Sequence, residues 1–366
     1  MTLQHPIAAK TPAANPFGPA IAEFRRDLPF WALLFGILIV WSIGVQVIYA
    51  IVDGPGVAAS DRAGTYALSL AKRTIGFACL FVAIRFVQAD RRGGSLLAEV
   101  TTTLRERPRQ LAYPALCLLL GAVGFVWLQT NFMSAKTAIP AMNGFWLDPF
   151  ARDWDLALFG KDPWLYFAWI YDHPILLGII DNAYTIWAGC LAWLWMWAVC
   201  SRRMERRRRY QYVLAMVLLW IVAGNLLATA LSSVGPVYYG EFFGDAAAYA
   251  PLMERLQSVN AGMPLQALEY QDYLLDCYHN PETRFAGISA VPSLHVGATL
   301  MMLFLFWRTR IARELLLAYT VMIYVGSIVL AWHYGVDGLI VAPVAWLCWR
   351  AAGWIIDRLL PDYSAV

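Results

Sequence analysis

Two histidines and a carboxylate stand out in a chain with little other use for such groups. His295 closes the run Gly287-Ile-Ser-Ala-Val-Pro-Ser-Leu-His295, and His333-Tyr-Gly-Val-Asp337 follows a short way on. The sequence has only five histidines, and these two fall where apolar segments begin and end. Residues four apart share a helix face, so Asp337 can reach the His333 ring. A carboxylate on one ring nitrogen fixes the tautomer and leaves the other nitrogen basic, which suits a nucleophile or a base. His295 follows Pro292-Ser293, a helix start whose free N–H groups favour anions, and a histidine there could protonate a leaving oxygen. With cations nearby, two histidines and an orienting carboxylate make a phosphoryl-transfer site that needs no metal or cofactor. A metal site built from His279, His295, His333 and Asp337 is the weaker alternative, because the Pro-Ser helix start explains itself better as facing an anion.

The elements that must position these residues are membrane spans. The chain has 366 residues, 60% hydrophobic and 14% charged, where soluble domains run nearer to a quarter charged. Seventeen Trp and eighteen Tyr suit two membrane–water interfaces, where amphipathic rings settle. The net charge of +3 matters less than where the charges fall. Cys79, Cys117, Cys190, Cys200 and Cys348 lie in or beside apolar segments and Cys277 in a polar loop, so no disulfide framework or zinc spacing emerges.

Residues 1–28 form a polar N-terminal segment, followed by an apolar run at 29–51 that is too long for a signal-peptide core. Further apolar windows at 66–88, 110–132, 175–199, 210–232, 292–307, 313–332 and 338–356 predict about eight transmembrane helices in an all-α protein. A span needs roughly 20 residues, so the sixth borrows from its flanks. Two of these helices fall in 29–109 and six in 110–356, with outer loops at 133–174 and 233–291 and a short tail at 357–366.

Arginine-rich loops alternate with acidic ones. Arg91, Arg92, Arg105, Arg107 and Arg109, then the run 202–209, then Arg308, Arg310 and Arg313 all fall on one side of an eight-span chain. The positive-inside rule therefore places both termini in the cytoplasm. His295, His333, Lys136 and Arg284 converge on the opposite face, periplasmic, lumenal or extracellular. The arginine run reads as a topology determinant bound to anionic lipid rather than a nucleic-acid site. Segment 145–172, where aromatics alternate with charges, reads as an interfacial helix or pair of short helices on the outer leaflet, or else as a globular cap.

Pro292-Ser293-Leu294-His295, with His333-Tyr334 and Asp337-Gly338, resembles the second and third signature motifs of the type 2 phosphatidic acid phosphatase superfamily. The wording is closer still to its inositol phosphorylceramide synthase, or inositolphosphotransferase-like, branch. The resemblance covers about residues 110–356. It implies that His333 attacks phosphorus to form a phosphohistidine, that Asp337 orients it, that His295 protonates the leaving group, and that water or an alcohol takes the phosphoryl group without metal. The superfamily places an arginine six residues before the third-motif histidine, and here that position is Ser327. Its first motif should fall near 232–236 and offers Gly235-Pro236 without a basic residue. Lys136, in Lys136-Thr-Ala-Ile-Pro140, and Arg284 are the cations placed to substitute, with Lys72 and Arg73 ranked lower. Substrate contacts are expected from Lys136, Arg284, Ser293, Tyr334 and Gly235. Asp181, Asn182 and Tyr184 either line a head-group pocket or join helices, the latter slightly favoured.

The function expected is an integral membrane lipid phosphatase or phosphotransferase acting at the outer face, with head-group transfer to a ceramide-like or other lipid acceptor favoured over simple hydrolysis. Its partners are then a membrane lipid and a lipid or water acceptor, and not nucleic acid. A lipid transporter or flippase, with Lys72, Arg73 and Lys136 on its path, is the reading from another class; no internal repeat supports it.

Overall fold

The computed structural model describes residues 18–52, 64, 68, 71–72, 108–202, 204–280 and 286–363. Among these the chain is helical throughout, with no strand. Six helices are long and apolar enough to cross a membrane, and a seventh is shorter. They are α1 (Gly18–Val52), α2 (Pro108–Asn143), α4 (Pro174–Cys200), α5 (Arg206–Ile221), α9 (Arg310–Val329), α10 (Gly335–Leu359) and the short α8 (Leu294–Leu305). Between them lie α3 (Asp148–Phe159), α6 (Ala250–Gly262) and α7 (Gln266–His279). The expected second span at 66–88, apart from residues 68, 71 and 72, lies outside the described residues, as do Arg73 and Arg284.

The helices follow local rules. Pro174 opens α4 at a position where its missing N–H costs nothing. Gly160, at φ +78°, closes α3 by donating to the Leu156 carbonyl. α8 has 12 residues, or roughly 18 Å at 1.5 Å per residue, well short of a bilayer core. By length and composition it is therefore a shorter apolar helix, outside the six that are long enough to cross. α5 continues through a π-helical turn, Val222–Leu227, to Ala230. At that turn Gly224 lies so close to Phe132 of α2 and Leu294 of α8 that a Cβ would come within 2.8 Å of each.

α2 corrects the expected boundary of the third span. It runs to Asn143, so Lys136 sits inside a helix and not in the loop after it. The sequence Ser134-Ala-Lys-Thr-Ala-Ile139 has nothing that stops a helix, and Pro140 falls within its last turn.

Two ends of the bundle differ in chemistry. At one end Arg206 pairs with the buried Asp27 at 2.9 Å, and Tyr113 and Tyr210 also donate to Asp27. Arg207 forks onto Asp357 at 2.7 and 2.6 Å. Arg208 caps the end of α8 through the Leu305 and Phe304 carbonyls, and Arg209 caps α4 through that of Ser201. The described arginines of the run are thus engaged by the protein itself, a role that the expectation of lipid binding did not include. Helix C-termini leave carbonyls without partners, and guanidinium groups satisfy them. The other end holds α3, α6, α7 and the starts of α8 and α10.

Candidate active site

The chain reverses tightly between α9 and α10. The N–H groups of Trp332 and His333 both donate to the Ser327 carbonyl at 3.0 and 2.9 Å, while Ala331 adopts φ +61°. A left-handed alanine costs on the order of 1 kcal/mol or more and persists only where its surroundings fix it. Here Val237 N–H holds the Ala331 carbonyl at 3.0 Å, and Gly235, at φ +88°, comes so close that a Cβ would meet the Trp332 oxygen at 2.6 Å.

This turn delivers His333 to the first turn of α10. Its Nδ1 lies 2.9 Å from Asp337 Oδ2, and both side chains are buried. Asp337 Oδ2 also accepts from the Tyr334 N–H at 3.3 Å, while Oδ1 has no partner among the described residues. His295, at the start of α8, faces His333 with ring centroids 6.0 Å apart. Its imidazole packs on two rings of α4, Tyr184 and Trp187, each at 4.3 Å. Lys136 is half-buried beside Phe132 and within electrostatic reach of His295.

Of the residues expected to contact substrate, three are engaged by the protein. Ser293 caps α8, its hydroxyl 3.5 Å from Val296 N–H. Tyr334 is buried and donates its hydroxyl to Asp148 at 2.8 Å. Gly235 donates its N–H to the same carboxylate at 2.8 Å. Arg284 lies outside the described residues. Ser327 is buried, and its hydroxyl donates to the Tyr324 carbonyl within its own helix. Asp181 and Asn182 join helices: Asp181 caps α7 through Gln266 and Ala267 N–H, and Asn182 accepts from the Gln266 side chain. Tyr184 goes the other way, onto His295.

Sequence reasoning missed the two carboxylates that hold the turn. Along α3, Asp148, Ala151 and Asp155 face inward and are buried, and Phe150, Trp154 and Leu158 are exposed, as is Trp146 just before the helix. Asp148 gathers Ser233 Oγ (2.8 Å), Val234 N–H (3.0 Å), Gly235 N–H and the Tyr334 hydroxyl. Asp155 accepts from Gly335 and Val336 N–H, each at 2.8 Å, and so caps the helix carrying Asp337. Burial pushes both carboxyls above their ordinary value, against the pull of these bonds; Asp155 reaches about 7. Spacing along α3 carried a faint signal, since acids at i and i+7 share a helix face.

A histidine oriented by a carboxylate, facing a second histidine, can attack phosphorus and protonate a leaving oxygen. A family model, described as the PAP2 superfamily, matches residues 152–351, from inside α3 to the end of the site and beyond into α10. The chain belongs to the PAP2 superfamily. Neither a curated protein nor a solved structure matches it. Membership and the six apolar helices together make it an integral membrane protein of the lipid phosphatase and phosphotransferase kind.

Proposed function

We propose that the chain transfers a phosphoryl group, or a phosphate-bearing head group, from a membrane lipid through a phosphohistidine at His333. The observation that carries this is the 2.9 Å bond from His333 to a buried Asp337, with His295 across from it. His333 Nε2 attacks phosphorus as the leaving oxygen departs with a proton from His295. In the second step His295, now neutral, takes a proton from the acceptor alcohol or water, which attacks phosphorus and releases His333. Asp337 holds the tautomer and balances the charge that develops on the ring.

Burial of the dyad favours a lipid alcohol over water as acceptor, because a water-poor site protects a reactive intermediate from hydrolysis. Together with the motif wording, this supports head-group transfer to a ceramide-like or similar alcohol, as in the inositol phosphorylceramide synthase branch. The basic end of the bundle is assigned to the cytoplasm and the dyad to the opposite face, with the exposed aromatic stripe of α3 resting in that interface.

Purified protein given labelled phospholipids, with and without long-chain alcohol acceptors, tests the reading. His333→Ala should abolish turnover and the labelled phosphoenzyme. Asp337→Asn should slow turnover by about 10³–10⁴-fold, and His295→Ala should hurt alkoxide leaving groups far more than activated aryl ones. Undiminished phosphoenzyme in His333→Ala overturns the mechanism. Inorganic phosphate as the sole product, with every acceptor supplied, overturns the transfer reading.

A further inference from the structure

Around His295 lie polar hydrogens with nothing to bond. Tyr184 is 6% exposed, and its hydroxyl has no hydrogen-bond partner among the described residues. The indole N–H groups of Trp187 and Trp332 are buried and unpartnered as well. These side chains form one cluster. Tyr184 and Trp187 both pack on the His295 ring, and Tyr184 lies parallel to Trp332, with ring centroids 6.4 Å apart and planes 4° apart. Trp332 immediately precedes His333, and His295 faces the His333 ring, so the cluster borders the dyad. A buried hydroxyl without a partner is costly, and natural proteins keep few of them without a reason.

A transferred phosphoryl group supplies such a reason. Its oxygens gain charge in the transition state and need donors aimed at them. Ser327 cannot serve, since its hydroxyl is tied to Tyr324. The guanidinium of Arg152 lies between Asp162 and Asp245, 3.6 Å from each, and over the Tyr239 and Tyr249 rings. Lys136 is the described cation that acts on His295.

We propose that the Tyr184 hydroxyl, flanked by the indole N–H of Trp187, donates hydrogen bonds to the phosphoryl oxygens between His333 and His295. The ligand class is a tetrahedral or trigonal-bipyramidal oxyanion held by neutral aromatic donors beside a single lysine. The assignment rests on the phosphoryl-transfer reading above.

Tyr184→Phe isolates the hydroxyl, because the ring that stacks on His295 remains. Turnover should fall about 10²-fold or more, with KM changed only a few-fold. The thermal unfolding midpoint should stay level or rise, since an unpartnered buried hydroxyl is removed; a tyrosine bonded within the fold would lose stability instead. Orthovanadate, which adopts the five-coordinate geometry of phosphoryl transfer, is titrated calorimetrically into the purified protein. Its Kd should rise at least tenfold in both Tyr184→Phe and Trp187→Phe. Unchanged vanadate affinity in Tyr184→Phe overturns the proposal, even if turnover falls. The two readings separate cleanly: weakened vanadate binding in Tyr184→Phe with full turnover in His333→Ala sinks the phosphohistidine and leaves the oxyanion grip standing.

Discussion

Asp155→Asn is the sharpest test of how the dyad is held. Asp155 uses one oxygen for Gly335 N–H and the other for Val336 N–H, both at 2.8 Å. Asparagine keeps a single acceptor and turns an NH2 group toward the second backbone N–H. One charge-assisted bond, worth about 1.5–3 kcal/mol, is lost and a donor is left facing a donor. The carboxylate's favourable interaction with the start of α10 goes too, typically another 0.3–1 kcal/mol. The start of α10 therefore loses roughly 2–4 kcal/mol of local stabilisation, two residues after His333 and two before Asp337. A displacement of about 1 Å at a reacting group costs on the order of 10²-fold in rate, so kcat should fall by about that factor while KM changes little. A second readout is the pH dependence of the unfolding midpoint. Asp155 titrates near 7 in the fold against an ordinary 3.8. The folded protein binds this proton more tightly than the unfolded chain does. The contribution is thus fully present below about pH 4 and is lost as pH rises through about 7. Asp155→Asn removes that component, so the fall in midpoint between pH 5 and 8 should become shallower, with Asp148 and Asp162, both raised by burial, keeping part of it. A variant with kcat within twofold of wild type and an unaltered pH slope would refute the capping argument.

Two further expectations rest on other contacts. Gly335→Ala would place a Cβ 2.8 Å from Phe159 and 2.9 Å from Pro163; overpacking of this kind costs about 1–3 kcal/mol, and a turnover assay should show at least a tenfold loss, whereas wild-type rates would mean that α3 yields easily. Single cysteines in place of Arg310, at the exposed start of α9, and Asp153, on the exposed face of α3, should react differently with an impermeant thiol reagent in intact cells, only position 153 being labelled. Equal labelling would refute the two-ended topology.

The spans were legible because hydrophobicity is a property of single residues summed over a window, and every described span falls where an apolar window lies. The pairing of His333 with Asp337 was legible from their closeness in sequence, though not by the expected route: His333 lies outside the helix, just before its N-cap Tyr334, and the turn rather than helical spacing brings it to Asp337. Longer-range features were not. Asp155 meets backbone N–H groups 180 and 181 positions away, and backbone donors have no residue type for a sequence to reveal. The same holds for Asp148 and the 233–235 segment. The arginine run shows the reverse case: charge alone suggested lipid, but Arg206 and Arg207 meet the carboxylates of Asp27 and Asp357, and Arg208 and Arg209 meet helix-end carbonyls, partners that only packing brings near. Tyr184 was weighed as a pocket residue without the fact that decides its interest, a hydroxyl buried beside His295 and left without a partner.

These contacts together limit how an anion can be held. A free helix start attracts phosphate because its N–H groups point outward with the positive end of the dipole. Here the α10 start is closed by Asp155 on Gly335 and Val336, and the α8 start has Ser293 turned back on Val296. The α10 start therefore serves to fix the dyad and carries a carboxylate where an anion would otherwise sit. On the phosphoryl-transfer reading, the proposed grip comes from side chains on α2 and α4, namely Lys136 and the unpartnered donors of Tyr184 and Trp187. Geometry and grip are thereby assigned to different helices. Changes on α3 and α10 should lower kcat by moving His333, while changes at Tyr184 and Trp187 should lower kcat and weaken oxyanion binding together, with the dyad left in place.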